Sequence, residues 1–600
     1  MRSGKQIPSF LVAACLMLGL SGCATQQQAA PSGPSAGPDT SQQSEVCLPY
    51  HTDSFLTVDK TGNRITTGRD ATASKAMVSS SKYEVSQVGA EIIAQGGSAV
   101  DAAVAMGFAL GVCEPFTSGL GGGGLATVHT ADGQDIFIDF RETAPAAIDP
   151  AAFTGEGAPS SHEGGLASCI PGEAAGLLYL LENYGTMTRE QVLAPAIRIA
   201  EEGFLVSDFF AGAISNAYMK MVSYPELQTL YCTEDGLPCE AGTVIRNPDL
   251  AKTLKLIARD GADVFYKGEI AQAIVSSLAA YGGVMTAEDL SGYEIQLSTP
   301  VESTYRGYSI LSAPPPSSGG THLIEILNIL ENYDVASMRI NSPEYIHLFT
   351  EASKLAFADR AAYMADVNFV PYVPLDGLTS KEYGKLRACC IDPEKALAFD
   401  AGDPTLGEHL DTTHFSVADA QGNCVAITKT INSYFGSGVL VEGCGFIMNN
   451  QMGDFSPDPD SINCVEPGKK PLSSMSPTIV LKEDGSPYLV MGTPGGAYIF
   501  SSVAQTISRI IDHGMNIHDA ICVPKVWNVG STDHLEYELP LQGYEQYAVT
   551  EDTLAVLEQM GHGRGTLKST GSTQAVAFLE DGSLYGTADP RQDGKAVGID

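Results

Sequence analysis

The sequence predicts a mixed α/β fold (α+β), an antiparallel sheet layered with helices rather than a doubly wound parallel one. Residues 412–600 hold three Gly-centred hairpins, around Ala420-Gln421-Gly422-Asn423, Glu483-Asp484-Gly485-Ser486 and Glu580-Asp581-Gly582-Ser583, and such hairpins build antiparallel sheet. Helical periodicity instead dominates residues 172–397, which supplies layers to cover the sheet. The 600 residues exceed the roughly 250–300 of a single core. Two domains, or two intimately packed subunits cut from one precursor, are therefore expected.

Taken in order, residues 86–112 read as a helix bundle segment, with the run Ala99-Val100-Asp101-Ala102-Ala103-Val104-Ala105-Met106 leading towards Gly119-Leu120-Gly121-Gly122-Gly123-Gly124. Strands at 125–129 and 136–140 flank Ala131-Asp132-Gly133-Gln134, a further hairpin signal. Residues 320–331 place apolar side chains three and four apart, which predicts a helix. The preceding Ala313-Pro314-Pro315-Pro316-Ser317-Ser318-Gly319-Gly320 is too proline-rich to be helix interior. Beyond Thr412, strands are expected at 412–419, 424–430, 477–482, 487–492, 574–579 and 584–587. Helices at 503–513 and 552–560 would cover their faces.

The formal charge is −37, from 71 acidic and 34 basic residues. This argues against nucleic acid and against adsorption to anionic membranes, both of which want basic patches. An anionic substrate needs only one or two placed cations. Residues 1–22 read as an export signal, with Arg2 and Lys5 before an apolar run at 10–20. Leu20-Ser21-Gly22-Cys23 resembles the bacterial lipobox, which implies lipidation at Cys23. Residues 23–46 are Gln-, Ser- and Pro-rich and read as a flexible tether. The expected location is the bacterial cell surface or periplasmic side, with the membrane reached only through that lipid. Setting aside Cys15 and Cys23, the 13 cysteines leave an odd number, and Cys232 with Cys239 is a disulfide candidate. No CxxC, HExxH or other ligand spacing occurs, so neither metal nor cofactor is expected.

Chemistry enters at Asp411-Thr412-Thr413-His414-Phe415-Ser416-Val417, where a Thr pair heads a strand after the polar connector Asp400-Ala401-Gly402-Asp403-Pro404-Thr405-Leu406-Gly407-Glu408-His409. Cleavage of the Asp411–Thr412 bond would give Thr412 a free α-amine with a pKa of about 7.7–8.0. That amine is a built-in base for its own hydroxyl. Gly492-Thr493-Pro494-Gly495-Gly496 can aim backbone N–H groups at a developing oxyanion. Pro471-Leu472-Ser473-Ser474-Met475-Ser476-Pro477 offers adjacent hydroxyls suited to a carboxylate. Asn449-Asn450-Gln451-Met452-Gly453-Asp454-Phe455 offers amides and a carboxylate suited to an ammonium. Asp139-Phe140-Arg141-Glu142 brings a guanidinium, the usual carboxylate clamp. Two other motifs fail on context. Gly119–Gly124 satisfies GxGxxG but follows a helix and precedes a strand, and Gly33-Pro34-Ser35-Ala36-Gly37 satisfies GxSxG inside the tether.

Thr412-Thr413-His414, Thr430-Ile431-Asn432, Asn449-Asn450-Gln451-Met452, the serine loop and Pro494-Gly495-Gly496 occur in the order seen in gamma-glutamyltransferases. Gly96-Gly97-Ser98-Ala99-Val100-Asp101-Ala102-Ala103, Gly121–Gly124, Asp139-Phe140-Arg141-Glu142 and Pro314-Pro315-Pro316-Ser317-Ser318-Gly319-Gly320 resemble that family too, so the likeness spans residues 71–591. It implies an N-terminal nucleophile hydrolase, an αββα sandwich built jointly by a large subunit (47–411) and a small catalytic subunit (412–600) of a self-cleaved precursor. By matched position, Thr412 would be the cleavage residue and nucleophile, Thr430 would bond around the new N-terminus, and the N–H groups of Gly495 and Gly496 would form the oxyanion hole. Arg141, Ser473 and Ser474 would hold the donor α-carboxylate, and Asn432, Gln451 and Asp454 its α-ammonium. The implied donors are glutathione and other γ-glutamyl compounds, and the acceptors are water, amino acids or peptides.

Two departures from the family pattern stand out. Gly453 replaces a common Asp beside Asp454, which bears on outer support alone. Only residues 455–472 separate Asp454 from Ser473, a short connection resembling lidless members, so an open site that loses acyl groups to water is expected. A cephalosporin or glutaryl acylase shares the scaffold but has no use for the Asp454 carboxylate. The sequence also allows a poly-γ-glutamate depolymerase or transferase and, more remotely, an unprocessed binding lipoprotein.

Overall fold

The computed structural model describes residues 68–399, 412–530, 534–567 and 571–600, which fall in one unit. The export signal, Cys23, the tether, the connector and Asp411 lie outside the described residues. The strands of the two large sheets are β1 (Asp70–Ala73), β2 (Ala76–Ser80), β3 (Gly123–His129), β4 (Asp135–Phe140), β5 (Gln296–Ser298), β6 (Val301–Tyr305), β7 (Tyr308–Ser312), β8 (Thr413–Asp419), β9 (Cys424–Thr430), β10 (Thr478–Leu481), β11 (Pro487–Gly492), β12 (Gln574–Phe578), β13 (Leu584–Ala588) and β14 (Lys595–Ile599). One seven-stranded sheet runs β14-β2-β8-β9-β3-β4-β5 and the other β1-β13-β12-β11-β10-β7-β6. Every pairing within them is antiparallel. Both sheets mix strands from either side of Thr412, so that position is a boundary in the chain and not in space.

The sheets stack face to face on a core of mostly small residues that includes Ala73, Met77, Ala418, Ala426, Ile479, Val490 and Val576. Helices α1 (Tyr83–Ala94) and α2 (Ala99–Cys113) cover the β8–β9 sheet, with α3 (Glu173–Tyr184) beside them. Helices α4 (Gly319–Leu330) and α6 (Ile499–Ile511) cover the other, and α5 (Pro343–Tyr363) packs on α4. The layers are therefore αββα. Helix α2 begins where it does because the Ser98 hydroxyl accepts from Asp101 N while the Asp101 carboxylate accepts from Ser98 N, a reciprocal cap. Helix α5 starts with Ser342 at its cap and Pro343 in its first turn.

The hairpins and the covering helix α6 lie where the sequence places them, within a few residues, whereas the helix Glu551–Met560 packs chiefly against α5 and the strand Gly563–Leu567 of a separate three-stranded sheet. The 172–397 stretch differs, because it contains β5, β6 and β7 among its helices. Arg306 and Gly307, with φ of 50° and 92°, turn β6 into β7, which gives a hairpin without the Asn-Gly or Asp-Gly signal.

Helices α4 and α5 bury an acidic pair. His322 on α4 lies 2.7 Å from Glu325, and Asp359 on α5 accepts from Tyr383 and pairs with Arg387 at 3.0 Å. Burial pushes Glu325 up to about 7. Burial and the charge of Glu325 push Asp359 up to about 7 as well. Both folded values lie above the unfolded ones. Their contribution to stability is full below the ordinary carboxylate range and is lost as pH rises through about 7. The thermal midpoint should therefore fall between about pH 5 and pH 8, and Asp359→Asn should flatten that dependence. An unchanged slope in the variant would refute the assignment.

Candidate active site

The site grows out of the β8–β9 ladder. Thr413 stands opposite Lys429 and His414 opposite Thr428, which sets Thr412 opposite Thr430. The Thr412 hydroxyl lies 3.4 Å from that of Thr430, which accepts a 2.8 Å bond from Asn432 N. Alternation sends His414, Ser416 and Ala418 into the space between the sheets, and Thr412 faces the same way. His414 contacts Thr428 at 2.8 Å and Ser416 at 3.0 Å, and burial pushes it down to about 3, so it is neutral. A Cβ on Gly492 would come within 2.4 Å of its ring. Gly492 ends β11 in the facing sheet, so Gly495 and Gly496 leave that sheet at the Thr412 end. Their φ values of 129° and 55° suit glycine, and α6 follows directly.

The residues matched to a zwitterionic head also converge. Arg141 Nη2 meets Asp454 Oδ2 at 2.5 Å, with both side chains almost fully buried. The same guanidinium donates to the carbonyls of Pro471 and Leu472 at 3.4 and 3.2 Å, the residues just before Ser473. Gln451 Nε2 donates to Glu142 at 3.2 Å, and Asn432 Nδ2 donates to Asn450 O at 3.1 Å. Asn432 takes a left-handed φ of 80°, which Asn tolerates better than most residues. A carboxylate and an ammonium borne on one carbon need their counter-charges side by side, and Arg141 and Asp454 are placed in that way.

Sequence reasoning missed several partners because each is distant in the chain. Glu114 accepts from Thr413 and Ser81 at 2.9 and 2.8 Å, directly beneath the Thr pair, and burial raises its pKa. Glu142, quoted in a motif but given no role, is pushed up to about 7 by burial. Arg360 donates to Ser474 Oγ at 3.2 Å. A Cβ on Gly453 would come within 2.4 Å of the His162 ring, so that ring occupies the space a larger residue would take. The connection 455–472 is tied down, with Asn463 donating to Asp454 O and accepting from Leu472 N, and Phe455 and Val465 buried beside Met452.

All ten described cysteines are free thiols, Cys232 and Cys239 included, which corrects the disulfide expectation. They flank a tight turn closed by backbone pairing of Cys232 with Pro238. Among the described residues one group of metal-ligand types gathers, His347, Glu351 and His562, none of them in the candidate site. The two imidazoles bond each other at 2.8 Å and Lys354 pairs with Glu351 at 2.5 Å, so a lysine already supplies the positive charge there.

Comparison with known proteins gives a consistent result. The profile of the family described as Gamma-glutamyltranspeptidase matches residues 85–599. The "Glutathione hydrolase proenzyme" of Escherichia coli (strain K12) is 40% identical over 536 residues, 86% of this chain and 91% of that protein. The "Acylase ACY 1 proenzyme" of Pseudomonas sp. (strain SE83) is 38% identical over 544 residues, 88% of this chain and 95% of that protein. Among solved structures, cephalosporin acylase from Bacillus halodurans matches with a TM-score of 0.80 at 29% identity, over 88% of this chain and 97% of that one.

The serine loop packs on Gly319, where a Cβ would approach the carbonyls of Met475 and Ser474 at 2.4 and 2.6 Å. Gly319→Ala should therefore lower the thermal midpoint, at a cost of about 1–3 kcal/mol. Gly212→Ala, in a helix with nothing within 4 Å, should leave the midpoint unchanged or raise it. Equal effects of the two substitutions would contradict the packing described.

Proposed function

The chain belongs to the gamma-glutamyltranspeptidase family, and from that premise we infer a self-processing N-terminal nucleophile hydrolase that cleaves γ-glutamyl amide bonds. The observation that carries the reading is Thr412, heading β8 beside Thr430 with the Arg141–Asp454 pair and the serine loop in the same site. In maturation, the Thr412 hydroxyl attacks the Asp411 carbonyl and the peptide becomes an ester. That shift breaks the Asp411–Thr412 C–N bond and frees the Thr412 amine, and water then hydrolyses the ester, releasing the Asp411 carboxylate and restoring the Thr412 hydroxyl. In turnover, the amine takes the hydroxyl proton as Oγ1 attacks the γ-carbonyl. The N–H groups of Gly495 and Gly496 stabilise the oxyanion. The amine product leaves with a proton, a γ-glutamyl ester remains on Thr412, and water or an acceptor amine then takes the acyl group. Arg141, Ser473 and Ser474 hold the donor α-carboxylate, while Asn432, Gln451 and Asp454 hold its α-ammonium. Glutathione is the donor best supported, since relatives bear the name glutathione hydrolase.

The proposal extends to location. The export signal and the Cys23 lipobox support a lipid-anchored enzyme on the outer side of a bacterial membrane. No helix among the described residues is long and apolar enough to cross a membrane.

Purified protein should resolve on a denaturing gel as two chains, the smaller beginning Thr412-Thr413-His414-Phe415, and Thr412→Ala should remain one chain. A γ-glutamyl anilide should be cleaved far faster than a glutaryl anilide, which lacks the α-ammonium that Asp454 serves. The reverse preference would favour the acylase reading. The short 455–472 connection should leave the acyl group open to water, so hydrolysis should stay a large share of turnover even with amino acid acceptor present. Near-complete transfer would refute the open site.

A further inference from the structure

We propose that Arg360 is a positioning residue that sets donor specificity, acting on the donor α-carboxylate through the hydroxyl of Ser474. The proposal rests on the γ-glutamyl reading above and deepens it. Arg360 lies on α5 and is 6% exposed. Its Nε donates to Ser318 Oγ at 2.9 Å and its Nη2 donates to Ser474 Oγ at 3.2 Å.

A guanidinium carries donors and no acceptor. Ser474 Oγ therefore accepts from Arg360, and its single hydrogen must point elsewhere. No acceptor for that hydrogen occurs among the described residues. Ser473 follows the same logic, since its Oγ accepts from Met475 N at 3.1 Å. Both hydroxyls thus have an accepting side filled by protein and a donating side left for an anionic oxygen. A cation behind one of them strengthens the hydrogen it presents.

The loop cannot drift from this arrangement. Ser318 N and Oγ both donate to Ser473 O, at 2.8 and 2.7 Å, and Ser317 Oγ donates to Met475 O at 2.7 Å. The proline-rich segment before α4 therefore seats the loop, and Arg360 grips one residue of each, Ser318 and Ser474. Arg141 grips the opposite flank through the carbonyls of Pro471 and Leu472. The serine loop lies between two buried guanidiniums, of which Arg141 meets Asp454 and Arg360 meets the hydroxyl.

The test compares two donors, a γ-glutamyl anilide and the 4-aminobutyryl anilide that lacks only the α-carboxylate, in wild type, Arg360→Gln and Arg360→Lys. Loss of one charge-assisted bond predicts a KM for the γ-glutamyl donor about 10- to 100-fold higher in Arg360→Gln, with kcat within about threefold. The same variant should leave kcat/KM for the 4-aminobutyryl donor unchanged, and Arg360→Lys should recover part of the loss. Self-cleavage into two chains reports that each variant has folded. If Arg360→Gln fails to mature, Arg360→Lys alone decides: its KM for the γ-glutamyl donor should rise, by less than the full loss, while kcat/KM for the 4-aminobutyryl donor stays unchanged. An equal loss on both donors, or an unshifted KM, overturns the role of Arg360. A wild type that does not distinguish the two donors overturns the γ-glutamyl reading itself.

Discussion

The register between β8 and β9 is the constraint on which the site depends. Both strands are buried on both faces along their whole length, so a one-residue slip would exchange the two environments. Lys429 makes that exchange prohibitive. Its ammonium reaches Glu173 and the carbonyl of Gly107, both at 2.6 Å, on the helix side. A slip would strand that charge between the sheets, and an unpaired buried charge costs several kcal/mol. On the same face Glu114 catches the Thr413 hydroxyl. With Thr413 and Lys429 held outward, Thr412 and Thr430 are forced inward, towards the end of the sandwich where the Gly495-Gly496 turn leaves the facing sheet.

The site works with charges the rest of the chain does not resemble. The chain carries a net charge of −37, yet its centre buries cations, Arg141 and Lys470 among them, held by carboxylates and backbone carbonyls. Arg141 sits between Asp454, Glu142 and two carbonyls, and Lys470 pairs with Asp139 at 2.7 Å. Pairing of this kind fixes geometry more than it adds stability. Here it fixes Asp454 against the guanidinium that also holds the carbonyls of Pro471 and Leu472, so the start of the serine loop is tied to the same point.

Much of this was legible in the sequence wherever the signal is local. Gly422, Gly485 and Gly582 turn hairpins whose glycines all have φ near 80–100°, so composition and backbone agree. The Thr412 motif, the serine loop and the 449–455 turn could be read for the same reason, since each is a short run with its own chemistry. What could not be read depends on distance along the chain. Arg360 meets Ser474 across 114 residues, Glu114 meets Thr413 across 299, and His162 fills the space at Gly453. The β6–β7 hairpin was hidden by its unusual Arg306-Gly307 turn and by Glu302-Ser303-Thr304, which break apolar–polar alternation, although Val301, Thr304 and Tyr305 carry strand propensity. Cys232 and Cys239 misled because spacing alone says nothing about the turn between them.

In the proposed mechanism Thr412 carries the acyl group. This is tested most directly by rapid acid quench during turnover of a γ-glutamyl donor, followed by peptide mass spectrometry of the smaller chain. The N-terminal peptide beginning at Thr412 should gain the mass of one γ-glutamyl group, on the hydroxyl and not the amine. Steady turnover with no adduct, or with the adduct on another residue, would contradict it.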